Sequence, residues 1–364
     1  MIIAEYMRLP WENTNSRFIY LANLINKEKC DVEIVTSTFM HGAKMQRTIK
    51  ESDAKSCGFK VTTIFEPGYK KNVSLKRFYS HNILSRNLKK YLESINEKPD
   101  VIYCAIPSLD VGAVASQYAK KNGIRFIVDV QDLWPEAFKM VLNIPVISDV
   151  LFYPMLRKAN LIYGQADDIV AVSDTYAERV AKVNKKYNNK LGVFLGTELD
   201  TFDSFNSHIK YEDDYIRIAY IGTLGHSYDL KTTIDAIKIL NEKGYNNLKF
   251  IVMGHGPLKD EFEQYAKDKE IDCEFTGRLD YNLMVDRLCS CDIAINPIVG
   301  QSVASIINKV GDYAASGLPV INTQNSDEYR RLLEEYNAGF SCENGNSQDM
   351  AEKLEMLVKW DAST

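Results

Sequence analysis

The stretch IRIAYIGTLGH, Ile216 to His226, decides the reading of the fold. Its first half is a short apolar run of the kind a buried strand uses. Its second half is glycine-rich, and a helical pattern follows over 229–241. Strand, glycine turn and helix in that order belong to a parallel, helix-covered sheet. Downstream the alternation continues, with strand-like runs at 248–254, 273–277, 292–298 and 319–323. The prediction is a doubly wound α/β unit.

The same alternation runs upstream. Apolar runs at 31–37, 59–65, 100–106, 125–130 and 168–173 read as buried strands, and a helical stretch between two of them ends on Gly123. Between the two series lies 197–214, a polar, acidic stretch that reads as an interdomain linker. Two α/β units in one chain place the carboxyl ends of both sheets beside a common cleft, and ligands of open α/β sheets bind at that edge. The last segment, SQDMAEKLEMLVKW, has helical spacing and closes the structure.

Bulk properties fit a globular protein of about two domains: 364 residues, 45% hydrophobic and 26% charged. A net charge of −5 argues against a general nucleic-acid binder. The seven cysteines include no C-x-x-C pair and no matching histidines, so they read as reduced thiols and not as a zinc site. The first residues, MIIAEYMRLP, lack the pattern of a signal peptide. No apolar run reaches the roughly 18 residues of a membrane span.

Three strand ends of the second unit carry glycine turns: YIGTLGH with Gly222, Thr223, Gly225 and His226; VMGHGP with Gly254 and His255; and FTGRLD with Arg278 and Leu279. Each alone could be an ordinary strand-to-helix turn. Together they could form the rim of a nucleotide pocket, with backbone amides near an anion. None matches G-x-G-x-x-G, which sets a dehydrogenase aside. Further on stands INKVGDYAASGLPVIN, Ile307 to Asn322, an apolar helix that stops at Gly317. Lys309 and Asp312 in its first turns are either a surface pair at i,i+3 spacing or part of a binding site.

Taken in order, YIGTLG, VMGHGP, FTGRL, CDIAINP and NKVGDYAASGLPVI resemble the donor domain of a retaining GT-B glycosyltransferase of the family 4 type. VDVQDLWPEAF at 128–138 resembles the DLWPE segment of a subgroup that builds bacterial capsule, O-antigen and exopolysaccharide chains. The resemblance covers nearly the whole chain. It implies a Rossmann-like acceptor domain over 1–200, a Rossmann-like nucleotide-sugar domain over 201–345, and a C-terminal helix over 346–364 that can pack back on the N-terminal domain. It also implies a nucleotide-sugar donor, a UDP-sugar first among them, and catalysis with neither metal nor cofactor.

Without a metal, the charge that grows on a diphosphate leaving group must be met by cations or helix N-termini. Here the sequence departs from the family. The usual Arg after the first glycine, and the Lys that follows it, fall on Thr223 and Tyr228. The usual glutamate pair falls on Ala304 and Asp312. Lys309, beside Asn308, becomes the candidate for the diphosphate, and Asp312 for the ribose hydroxyls. Backbone at Arg278 and Leu279 would meet the base.

In the first unit, Asp132 is the candidate for contact with acceptor or sugar, as a general base or an orienting group. The alternative is a helix N-cap before Pro135. Gln131 stands where the family often has a histidine, and Glu136 lies in the same loop. Asp129, inside a strand pattern, reads as structural. The loop at 8–18 has Asn13, Thr14, Asn15 and Ser16 where the family carries paired glycines, with Asn15 and Arg17 assigned to the acceptor side.

The stretch 68–92 holds Lys70, Lys71, Lys76, Arg77, Arg86, Lys89 and Lys90 with aromatics between them and no acid. It suits an anionic membrane surface, with a solvated helix face as the alternative. The expected partners are therefore a nucleotide sugar, a lipid-pyrophosphate-linked sugar or oligosaccharide acceptor, and an anionic membrane, with no nucleic acid. The expected location is the cytoplasm, peripheral at the inner face of the cell membrane. Two rivals remain at this point: a non-catalytic partner subunit, which loss of the usual cations and first glutamate would suit, and a sugar-nucleotide epimerase of the same fold.

Overall fold

The computed structural model describes residues 1–9, 16–25, 30–48, 58–72, 74–141, 147–208, 211–299 and 306–361. Contacts divide the chain into two units, Met1–Phe194 and Leu195–Thr364.

The first unit holds a seven-stranded parallel sheet in the order β5-β2-β1-β6-β7-β8-β9. The strands are β1 (Ile2–Ile3), β2 (Glu33–Ser37), β5 (Lys60–Ile64), β6 (Val101–Ile106), β7 (Arg125–Val130), β8 (Asp168–Ala171) and β9 (Asn189–Gly192). A small antiparallel pair, β3 (Phe39–Met40) and β4 (Met45–Gln46), follows β2. In β6, Ile102, Cys104 and Ile106 are fully buried, as expected of a parallel strand covered on both faces. From β1 the chain winds one way through β2 and β5, then returns to the other side of β1 with β6. The switch in direction lies between β1 and β6.

The second unit repeats the plan with six strands in the order β12-β11-β10-β13-β14-β15. They are β10 (Ile216–Ile221), β11 (Leu248–Met253), β12 (Cys273–Gly277), β13 (Ile293–Asn296), β14 (Val320–Asn322) and β15 (Gly339–Ser341). Its switch lies between β10 and β13. Side chains alternate between two cores, as strand geometry requires. Ile218, Tyr220, Phe250 and Val252 enter one; Ala219, Ile221, Ile251 and Met253 enter the other. Helices Leu230–Glu242, Lys259–Asp268 and Ser347–Asp361 cover the first face. Helices Leu199–Phe205, Tyr281–Cys289, Lys309–Ala315 and Asp327–Glu335 cover the second.

One expectation changes. The stretch read as a linker contains the helix Leu199–Phe205, capped by the Glu198 side chain on the Thr201 amide. It is a packed element because Phe202 is buried among Val285, Leu288 and Tyr313. Within the second unit the last helix lies against Leu230–Glu242. Its Met350, Ala351, Leu354, Leu357 and Val358 share a core with Ile234 and Ile237.

Candidate functional site

In an open α/β sheet the strand ends at the switch in winding direction form a natural crevice. Each unit has a cluster of polar and aromatic groups there.

In the second unit, β10, β11 and β12 are neighbours, so their three glycine turns line one edge. The turns also explain one another. Gly222 has φ of +138°, and a side chain at 254 would put its Cβ 1.8 Å from the Gly222 carbonyl oxygen. The Gly222 amide donates to Met253 and the Leu224 amide to His255. These glycines let two turns touch, and these two amides serve that contact and no anion. Thr223, His226, His255 and Arg278 are exposed along the edge, Gly225 is partly exposed, and Leu279 packs against the core.

The buried cation at this edge is Lys309, the first residue of its helix. Its Nζ lies 4.1 Å from the ring centre of Tyr220 and 3.9 Å from that of Tyr228. A Cβ on residue 222 would sit 3.1 Å from it, so glycine makes room for the lysine head. Among the described residues this buried Nζ has no hydrogen-bond partner. Burial holds its pKa well below the ordinary lysine value. It is therefore not half of a surface ion pair.

Asp312, one turn on, is bound separately. Its Oδ1 accepts from the Thr197 hydroxyl at 2.9 Å and the Tyr281 hydroxyl at 2.8 Å. Burial raises its pKa, and these two hydrogen bonds act against the rise. Asn308 is exposed and makes no side-chain cap.

In the first unit, a cavity of about 370 Å³ opens at the switch between β1 and β6. Tyr6 follows β1, Pro107 follows β6, and Asp132, Trp134, Ala137 and Phe138 follow β7; His41 and Arg77 complete the lining. Asp132 Oδ1 accepts from the Leu133 amide at 2.9 Å and Oδ2 from the Trp134 indole at 3.2 Å. It thus shapes its own turn and still lines the cavity. Burial lifts its pKa above the usual carboxylate value.

The remaining residues assigned to the acceptor side hold the unit together. Arg17 Nε pairs with Asp129 at 2.9 Å and its Nη1 donates to the Val193 carbonyl at 2.8 Å. Gln131 donates to Asp129 at 2.8 Å. Glu136 accepts from Arg179 at 2.6 Å. Asp129 is fully buried and also accepts from Tyr103, which fits its structural reading. Asn15 lies outside the described residues.

Of the basic stretch, Lys70, Lys71 and Lys76 are exposed, whereas Arg77 is a correction. It is 9% exposed and turned inward, its guanidinium 4.6 Å from the Trp134 ring centre. In the helix Leu75–Ser94 it shares the inner face with Ser80, His81, Leu84 and Leu88. The charge of this stretch is visible in the sequence; the inward turn of one member is signalled only by the i,i+4 and i,i+7 spacing of Arg77 to His81 and Leu84.

Behind Arg77 stands a buried group: Glu5, Glu66 and His81. His81 Nε2 lies 3.2 Å from Glu5 and 2.9 Å from the Tyr6 hydroxyl. Glu66 accepts from Ser80 at 2.7 Å and from Ser37 at 2.5 Å. Burial, with the Glu66 charge adding to it, pushes Glu5 up to about 8, and burial with Arg77 pushes His81 down to about 3. The group can hold a proton between acids; the neighbouring guanidinium makes it a poor seat for a metal cation.

Residues 216–359 match the family described as glycosyl transferases group 1. No curated protein sequence matches the chain. Among solved structures, the apo lipopolysaccharide outer core galactosyltransferase WaaB resembles it with a TM-score of 0.66 and 13% identity, over 99% of this chain and 91% of that one. HepE from Anabaena, in complex with UDP and glucose, gives 0.62 and 13%, over 100% and 90%. Sucrose-phosphate synthase from Thermosynechococcus elongatus gives 0.63 and 14%, over 99% and 90%. At such identities the likeness is one of fold: the chain has the two Rossmann-like units of GT-B glycosyltransferases.

Proposed function

We propose that this protein is a retaining glycosyltransferase. It would move a sugar from a nucleotide donor, a UDP-sugar first, to a lipid-linked or glycan acceptor in bacterial surface polysaccharide synthesis, without a metal. The observation that carries the reading is the unpartnered, buried amino group of Lys309 at the switch of the second unit. A solitary buried cation is costly unless something anionic completes it. A nucleotide diphosphate is such a group, and HepE was solved with UDP and with UDP-glucose. The match of 216–359 to group 1 glycosyl transferases supports the same assignment.

In this scheme the ammonium of Lys309 takes the charge that develops on the diphosphate as the glycosidic bond breaks. Asp312, oriented by Thr197 and Tyr281, accepts from the ribose hydroxyls. Asp132, with its raised pKa, orients the acceptor hydroxyl or takes its proton.

The test joins binding to turnover. UDP, GDP, dTDP and CMP sugars are screened for a rise in melting temperature in the presence of EDTA, and the nucleotide that binds is then used as donor. Lys309→Ala is expected to lower turnover by about 10²–10³-fold, the scale of losing one preorganised charge-stabilising donor. Wild-type turnover in that variant would overturn the role of Lys309. Silence toward every nucleotide sugar would favour a non-catalytic partner, and product from the donor alone would favour an epimerase.

A further inference from the structure

Arg77 poses a chemical question that the donor site does not answer. Its guanidinium is buried, yet among the described residues it has no ion-pair partner, and its Nε donates to nothing. Nη1 donates to the Asn72 carbonyl at 3.0 Å and Nη2 to the Tyr6 hydroxyl at 3.1 Å. Trp134 covers one side of it. A rigid, always-charged fork in such a place is unusual without an anion to meet it.

One further cation stands nearby. Lys44 Nζ lies 3.3 Å from His41 Nδ1 and donates to Asn72 at 2.6 Å. His41 lines the cavity, and burial together with Lys44 and Arg77 pushes its pKa down to about 4. Glu5 and Glu66 lie behind. Burial raises the pKa of both, and Glu66 is bound by two serine hydroxyls. The lining also holds Asp132, whose carboxyl feels the Arg77 charge, and the apolar surfaces of Phe138, Ala137 and Pro107. The cavity, about 370 Å³, is at the small end of ligand pockets and has room for a sugar residue.

We propose that this cavity takes an acidic sugar of the acceptor, its phosphate or carboxylate paired with Arg77 and its hydroxyls turned to Asp132. The proposal rests on the glycosyltransferase reading for the word acceptor, and on Arg77 and the cavity for the anion. Arg77 becomes a specificity-determining residue: the neutral counterpart of the sugar leaves the guanidinium unpaired and is selected against.

The experiment uses the full chain and calorimetric titration with four probes: methyl glucuronide, glucose 6-phosphate, neutral methyl glucoside and inorganic phosphate. Either acidic sugar is expected to bind at least about tenfold more tightly than the neutral one, and which of them does so names the source of the charge. Arg77→Gln is expected to remove that preference, with Arg77→Lys intermediate because it keeps charge without the fork. Equal binding of acidic and neutral sugars by the wild type overturns the proposal, whatever the variants do. Inorganic phosphate binding as tightly as glucose 6-phosphate overturns the sugar part of it. The UDP-induced rise in melting temperature is recorded in parallel. It shows that Arg77→Gln has folded, and it separates the two readings: a UDP response without acid preference sinks only the cavity assignment, whereas acid preference without a UDP response sinks only the donor assignment.

Discussion

Lys309 is where burial and charge conflict most sharply. Its pKa in the folded protein is far below the ordinary value because the amino group has lost water and found no acceptor. Between the folded and unfolded pKa values the unfolded chain binds more protons, so this residue makes stability rise with pH across that window. An anion beside Nζ reverses the balance and brings the proton back. Binding of UDP should therefore take up a proton, and its affinity should fall as pH rises through the same window. Titration in buffers of different ionisation enthalpy measures the uptake; a Lys309→Met variant should lose it and should melt no lower than the wild type near neutral pH. Lys309 was legible as a candidate from its place in the chain. Its confinement between Tyr220 and Tyr228 was not, because those rings come from a strand end and a turn far away in sequence.

Among the elements, the paired turns after β10 and β11 show what the glycines are for. Gly254 is where it is because the Gly222 carbonyl occupies the space of a Cβ. Gly254→Ala should cost about 3 kcal/mol, the upper part of the usual range for overpacking, and should displace the Gly222–Thr223 backbone. A lower melting temperature together with weaker UDP binding is the expected result; an unchanged melting temperature would refute the close packing. Glycine at strand ends was visible in the sequence; that the Gly222 and Leu224 amides bond to the neighbouring turn was not. The strands were readable from apolar runs such as VIYCAI and IRIAYI. β1 and β9 escaped for physical reasons: Ile2–Ile3 is too short to show a period, and Asn189–Gly192 is a polar strand at the sheet edge. Phe202 leaves no trace of its helix in the sequence, because one buried aromatic in an acidic stretch does not make a helical stripe.

Over the whole molecule, each unit carries its own core, and each places its polar cluster at the switch in its winding order. The net charge of −5 hides a local reversal. On the outer face of the helix Leu75–Ser94 stand Lys76, Arg86, Lys89 and Lys90, with Leu75, Phe78 and Tyr79 exposed between them. Each such cation contributes about 1 kcal/mol near an anionic bilayer, and the contribution falls with salt. The chain should sediment with vesicles rich in phosphatidylglycerol at low salt and not with neutral ones, and a triple Lys76→Glu, Lys89→Glu, Lys90→Glu variant should stay in the supernatant. Among the described residues no helix is long and apolar enough to cross a membrane. Arg77 takes no part in that outer face; the charge pattern was readable from sequence, and the inward turn of one residue was not.

The two tyrosines around Lys309 have one more consequence. Because burial lowers its pKa, the Lys309 amino group is at any given pH more often the neutral, nucleophilic amine than an exposed lysine is. Treatment with a small anionic aldehyde such as pyridoxal phosphate, followed by borohydride, should mark Lys309 ahead of the exposed lysines, and UDP should protect it. Peptide mapping of the modified chain would then locate the donor site covalently, before any acceptor is known.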